Sequence, residues 1–152
     1  TQKSHYNTAS IALNNSNYLS AAEQFLKAGD YKDASTMVLE CYYLYGKNQM
    51  ELNYVTEGLE YLSKCRGYKD TDEIIQSYYY EKAVDAFEKL IASFSQETLF
   101  TRDVDEAHKD AIEKLTLCES YKDSDNLITI ANNLHTAWSE MTLLAVFFCF
   151  FN

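Results

Sequence analysis

The groups best suited to chemistry in this 152-residue chain are three histidines, four cysteines, thirteen tyrosines and a surplus of carboxylates. A metal centre or a general base would need some of them at fixed short spacing, such as two histidines four apart on a helix. His5, His108 and His135 instead stand far apart, and none has such a context. Cys41, Cys65, Cys118 and Cys149 form no CxxC pair and no spacing of a disulfide framework. A glycine-rich phosphate loop, a GxSxG elbow and a calcium loop are all missing. The acidic groups Asp103, Asp105 and Glu106, and then Asp123 and Asp125, fall where helices are expected to begin, so helix capping accounts for them. The expectation is a protein without catalytic residues, cofactor or metal, and not an enzyme.

The tyrosines carry the stronger signal. A Tyr-Lys-Asp motif occurs at Tyr31-Lys32-Asp33, Tyr68-Lys69-Asp70 and Tyr121-Lys122-Asp123. Shifting the chain by 37 residues superimposes the first motif on the second, and flanking positions follow in register. Ala22 meets Leu59, Phe25 meets Leu62, Ala28 meets Cys65, Val38 meets Ile75, and Tyr42 and Tyr43 meet Tyr79 and Tyr80. A shift of 53 carries the second copy onto the third, placing Leu59 on Ile112, Leu62 on Leu115 and Cys65 on Cys118. A period of 37 is the size of a helical hairpin repeat. Ala28, Cys65 and Cys118 are then small residues expected to be buried at a helix end.

Each unit reads as two helices. Ala34, Met37, Val38, Cys41, Tyr42 and Tyr45 make a one-face helical stripe, and a longer one runs from Ile74 to Phe94. Shorter partner helices carry Ala21, Ala22 and Phe25, then Val55, Leu59 and Leu62, then Ala107, Ala111, Leu115 and Cys118. Asp33, Asp70 and Asp123 precede helical runs, where their carboxylates are expected to accept backbone N–H groups. Gly29 and Gly67 lie where the preceding helix must turn; the third copy has Ser120 there. The motif is therefore expected to be a structural corner, with the tyrosine ring between hairpins.

Gly29-Asp30-Tyr31-Lys32-Asp33-Ala34, Gly67-Tyr68-Lys69-Asp70-Thr71 and Ser120-Tyr121-Lys122-Asp123-Ser124 resemble the tetratricopeptide-like repeats, in particular a bacterial variety with Gly-Asp-Tyr-Lys-Asp-Ser-type units. The resemblance covers about residues 6–134. It implies an all-α fold of TPR-like hairpins stacked as a short right-handed α-solenoid, a shape often used to hold peptides or proteins, and it implies no catalytic residues. A single helical-repeat domain over 1–152 is expected, with units at about 6–33, 34–70 and 71–123 and a terminal helix at about 124–151.

Two breaks in the repeat are candidates for function. The third unit is enlarged by 16 residues, since the second shift exceeds the first by that number. The added length should extend one helix to Phe94 and leave a connection near 95–102 that includes Leu99 and Phe100. An insertion of this kind either projects as a binding surface or, the preferred reading, packs on its neighbours. The second break is the run Leu143 to Phe151, nine apolar residues that include Phe147 and Phe148. Closure of the stack is the preferred role for this apolar C-terminal helix. Contact with a partner or second copy, and the first half of a membrane anchor, remain open; a spanning helix needs about 20 apolar residues.

Tyr42, Tyr43 and Tyr45, and then Tyr78, Tyr79 and Tyr80, cluster at matching positions. Neighbours on a helix point in different directions, so each cluster should have a buried and an exposed member. Tyr43 and Tyr80 are candidates for partner contact, although filling the space between hairpins is the preferred reading.

Composition narrows the partners. A net charge of −10 argues against nucleic acid and against anionic membrane surfaces, and it leaves basic peptides as partners. The absence of proline and the presence of only four glycines suit helices joined by short turns. Unpaired cysteines fit a cytoplasmic setting. The chain starts at Thr1 rather than Met, without a signal peptide, so it is expected to be a processed product or a fragment. Together these features predict a protein or peptide interaction scaffold. The alternative is a structural spacer or oligomerisation region of a larger, membrane-attached protein.

Overall fold

The chain forms seven helices among the described residues: α1 (Gln2–Asn14), α2 (Tyr18–Ala28), α3 (Ala34–Glu51), α4 (Val55–Ser63), α5 (Thr71–Ser93), α6 (Arg102–Thr116) and α7 (Ser124–Phe151). The computed structural model describes the backbone of residues 1–94 and 102–151 and the side chains of 1–94 and 103–144; no strand occurs among them. Leu99 and Phe100 lie outside the described residues, as do the side chains of Phe147 and Phe148. The all-α expectation holds, and the helix bounds follow the apolar stripes closely. Asp103 falls inside the first turn of α6 instead of preceding it, because that helix begins at Arg102.

Contacts group the chain into two compact units, Thr1–Ile75 and Gln76–Asn152. In the first, α1 packs on α2, α2 on α3 and α3 on α4. Its core gathers Ala9, Ala21, Ala22, Phe25, Ala28, Ala34, Val38 and Cys41 around one large ring, that of Phe25. Small residues let the helix backbones approach. Where α3 crosses α4, a Cβ added to Gly46 would lie 2.7 Å from the Leu62 side chain and 3.0 Å from the Gly58 carbonyl oxygen. The same positions hold Ala9 and Ala21 in the first copy, both fully buried.

The turns within hairpins repeat as closely. Asn17 N–H donates to the Ala12 carbonyl and Ser16 N–H to that of Leu13; Tyr54 and Asn53 do the same to Gln49 and Met50. This is the paired-bond ending in which one residue takes a left-handed conformation. Ser16 and Asn53 take it, with φ of 59° and 70°.

In the second unit α6 packs on α7. Two core clusters form, one around Leu90 with Ala86, Ala111 and Ala131, the other around Leu115 with Ala83 and Cys118. Helix α7 is 28 residues long against 15 for α6, so at about 1.5 Å per residue its far end runs past its partner. Met141, Leu143 and Leu144 on that far end are 62%, 70% and 59% exposed. Among the described residues no helix is long and apolar enough to cross a membrane.

Candidate functional site

The Tyr-Lys-Asp corners have one geometry in all three copies. Tyr6 Oη donates to Asp33 Oδ1 at 2.6 Å, Tyr43 Oη to Asp70 Oδ1 at 2.6 Å, and Tyr80 Oη to Asp123 Oδ1. The donors form a 37-residue series, Tyr6, Tyr43 and Tyr80. The motif tyrosine meets each donor ring edge to face: Tyr31 on Tyr6 at 5.5 Å, Tyr68 on Tyr43 at 6.1 Å and Tyr121 on Tyr80 at 5.9 Å. The lysine lies over both rings, with Lys122 Nζ 4.7 Å from the Tyr80 centroid and 5.0 Å from that of Tyr121. All three lysines adopt positive φ, at 53°, 51° and 54°. A left-handed backbone disfavours a lysine, and attraction of the ammonium to two aromatic faces offsets that cost.

The expected capping role of the aspartate is corrected at Asp33, whose side chain makes no bond to the α3 amides. Its backbone, at φ −100° and ψ 21°, is not the extended form typical of a capping residue, and the carboxylate turns to Tyr6 instead. The bonds tune ionisation in opposite senses. The carboxylates of Asp33 and Asp123 raise the pKa of Tyr6 and Tyr80, while the Tyr43 hydroxyl chiefly lowers that of Asp70.

Small residues on both sides of the corner are buried, those on the upstream side as expected. Ala28, Cys65 and Cys118 are at most 1% exposed, and Ala34, Thr71 and Ser124 are fully buried. Thr71 Oγ1 donates to the Tyr68 carbonyl at 2.6 Å, whereas Ser124 Oγ is buried with no partner among the described residues. Burial is the main cause raising the thiol pKa of Cys41, Cys65 and Cys118, to about 11 for Cys41. Such thiols are poorly suited to nucleophilic chemistry or metal binding.

The expected exposed member of each tyrosine cluster is absent. Tyr43 is buried, and Tyr42, Tyr45, Tyr78, Tyr79 and Tyr80 are all half-buried. Ring contacts explain this: Tyr61 receives both Tyr42 and Tyr45, and Tyr78 meets Tyr79. Tyr45 also donates to Glu57 at 2.6 Å, which pushes its pKa up to about 12. Tyr43 therefore offers a partner little surface, while Tyr80 lies at the edge of a hollow.

That hollow is an apolar depression of the second unit. It measures about 420 Å³ and is walled by Tyr80, Val84, Phe87, Ile91 and Leu127, with Glu88 and Asp123 on its rim. A second hollow of about 340 Å³ shares Tyr80 and Val84 and adds Glu81, Asp85 and Lys122. Helix spacing aligns the walls: positions 80, 84, 87 and 91 fall on one face of α5, and 81, 85 and 88 border it. Phe87 and Ile91 belong to the apolar stripe from Ile74 to Phe94, and nothing in the periodicity marks where a stripe stays open. In the first unit a hollow near Ser16, Tyr18, Tyr45 and Asn48 has hydroxyl and amide walls and no charge.

Two histidines that the sequence keeps apart come together. His108 on α6 stacks on His135 of α7, with centroids 4.1 Å apart and planes at 14°. His108 Nε2 contacts Asn132 Oδ1 at 2.9 Å and His135 Nε2 contacts Asp105 Oδ1 at 2.7 Å. Face-to-face rings direct their nitrogens outward along parallel planes and do not converge on one point, and no metal-binding cluster exists among the described residues.

No family model, curated protein or solved structure matches this chain.

Proposed function

We propose that the chain is a non-enzymatic interaction module, a short right-handed array of TPR-like helical hairpins that holds a protein or peptide segment in the apolar hollow along α5. The TPR-like reading rests on repeated corners and on the small residues at helix crossings. Ala9, Gly46 and Ala83 form one series and Ala21, Gly58 and Ala111 another, each of the latter followed four residues on by Phe25, Leu62 or Leu115. The tetratricopeptide pattern has the same small-x₃-aromatic or aliphatic spacing. A binding role is favoured over catalysis because the thiols of Cys41, Cys65 and Cys118 are buried in the core and the His108 and His135 rings are stacked on each other. A cytoplasmic location belongs to this reading and is supported by three unpaired buried cysteines.

The observation that carries the proposal is the hollow bounded by Tyr80, Val84, Phe87 and Leu127, an apolar concavity with a charged rim. Panning a random-peptide phage library on the full chain tests it. Selected peptides should bind saturably in fluorescence polarisation, and Phe87→Ala should weaken them. A library that yields no peptide sensitive to Phe87 sinks the proposal.

Exposure of Met141, Leu143 and Leu144 supports a second reading, a spacer or oligomerisation region attached through the end of α7. Light scattering of the full chain against the Leu143→Ser/Leu144→Ser variant decides it. An oligomer that becomes a monomer supports attachment through this face, and identical masses rule out self-association there.

A further inference from the structure

We infer that the α5 hollow takes a basic peptide anchored by an apolar side chain, an inference that rests on the peptide-binding reading above. The second copy of the repeat shows why a cation belongs there. At the position equivalent to Val84 it carries Lys47, whose ammonium donates to Tyr43 Oη at 3.1 Å and lies 4.0 Å from Asp70. That lysine occupies the space beside its own corner and balances the carboxylate. In the third copy Val84 is too short and has no charge to do so. The Tyr80–Asp123 pair is thus left at the edge of an apolar depression, and a ligand cation can supply from outside what Lys47 supplies internally.

The rim adds to this. Glu88 borders the hollow, and Glu81 and Asp85 line the adjoining second hollow, which shares Tyr80 and Val84; all three are exposed, and their side chains engage in no ion pair or hydrogen bond among the described residues. The nearest lysine of the hollow, Lys122, is held over the Tyr80 and Tyr121 rings. Three unpaired carboxylates beside an apolar floor complement lysine or arginine flanking a leucine or phenylalanine; an acidic segment would be repelled.

Three fluorescein-labelled synthetic peptides test the inference on the full chain: one of repeated Lys-Lys-Leu, one with serine for leucine, and one with glutamate for lysine. The first should bind saturably and weaken with salt, and the other two should bind far less. Val84→Lys, which installs the second copy's own residue, should cost about tenfold or more in affinity while thermal unfolding stays unchanged. Glu88→Lys provides a second variant, at an exposed position, with the same expectation. Equal binding of the serine peptide would reduce the effect to diffuse attraction and overturn the inference. So would an affinity unmoved by both variants. If the glutamate peptide binds instead and Phe87→Ala abolishes it, the basic ligand is wrong but the peptide groove stands. If neither these peptides nor any panned peptide depends on Val84 or Phe87, both readings fall.

Discussion

The Tyr43 hydroxyl donates to the Asp70 carboxylate across 27 residues of chain, and the same separation joins Tyr6 to Asp33. In the third copy, Tyr80 reaches Asp123 across 43. The contact is thus kept while the sequence between its partners grows by the length of the insertion. It ties the first helix of a hairpin to the corner that follows the second. Tyr6→Phe, Tyr43→Phe and Tyr80→Phe should each lower the melting temperature by a few degrees, Tyr43→Phe most, because its hydroxyl also receives Lys47. A double-mutant cycle of Tyr43→Phe with Asp70→Asn should show coupling; additive losses would mean the bond contributes nothing.

Acid unfolding should report the same contact. The pKa of Asp70 lies below its ordinary value of 3.8, mainly through the Tyr43 hydroxyl, so the folded state binds that proton less readily than the unfolded chain. The resulting stability is present above the ordinary value and is lost as pH falls through the lowered one. Tyr6 and Tyr80 act oppositely: their raised pKa stabilises the fold below 10.0 and ceases to do so as pH rises through the folded value. Urea midpoints measured across both windows should decline at each end, and Tyr43→Phe should flatten the acid decline.

The corner glycine offers a clean backbone test. Gly67 has φ of 76° and open space around a would-be Cβ, so Gly67→Ala costs conformational strain alone, about 1 kcal/mol. Ser120, its counterpart, holds φ of 64° with a side chain present. Ser120→Gly should therefore stabilise the protein or leave it unchanged, since relief of strain opposes the greater freedom gained by the unfolded chain. A loss above about 1 kcal/mol in urea titration would point to an unseen role of the serine.

Ser124 and Thr71 should respond in opposite directions. The Ser124 hydroxyl is buried and unpaired, so Ser124→Ala, which restores the first copy's residue type, should stabilise by about 1 kcal/mol. Thr71→Ala removes a bonded hydroxyl and a packed methyl and should cost about 1–2 kcal/mol. Differential scanning calorimetry of both variants checks the pair.

Gly46→Ala should destabilise by about 1–3 kcal/mol, because the new methyl meets Leu62 and the Gly58 carbonyl at the α3–α4 crossing. Gly46→Ala combined with Leu62→Val should recover part of the loss. No recovery would show that the backbone contact dominates.

Much of this architecture is legible in the residues. The shifts of 37 and 53 residues find the corners, and the buried Ala28, Cys65 and Cys118 follow from them. Tyr6 stands on the shorter shift from Tyr43, and its role is visible once that shift is extended one step toward the N-terminus. Other features leave no such trace. Asp33 looks like a cap because an aspartate before a helix nearly always has amides within reach, and only the backbone angles show that it faces elsewhere. Val84 looks like one more apolar residue on a stripe; its significance lies in not being Lys47. The His108–His135 stack depends on the alignment of two helices, which a single strand of sequence does not encode locally.

The spacing of the corner partners also bears on how readily each corner closes. Closing a chain loop becomes more costly as it lengthens, and going from 27 to 43 residues adds about 0.4 kcal/mol. The first two corners can therefore close with the smaller loss of chain freedom, and the third carries an added kinetic handicap. On loop closure alone the enlarged copy, which has the open hollow, should close about twofold more slowly than the other two, and a segment bound in that hollow would offset the difference.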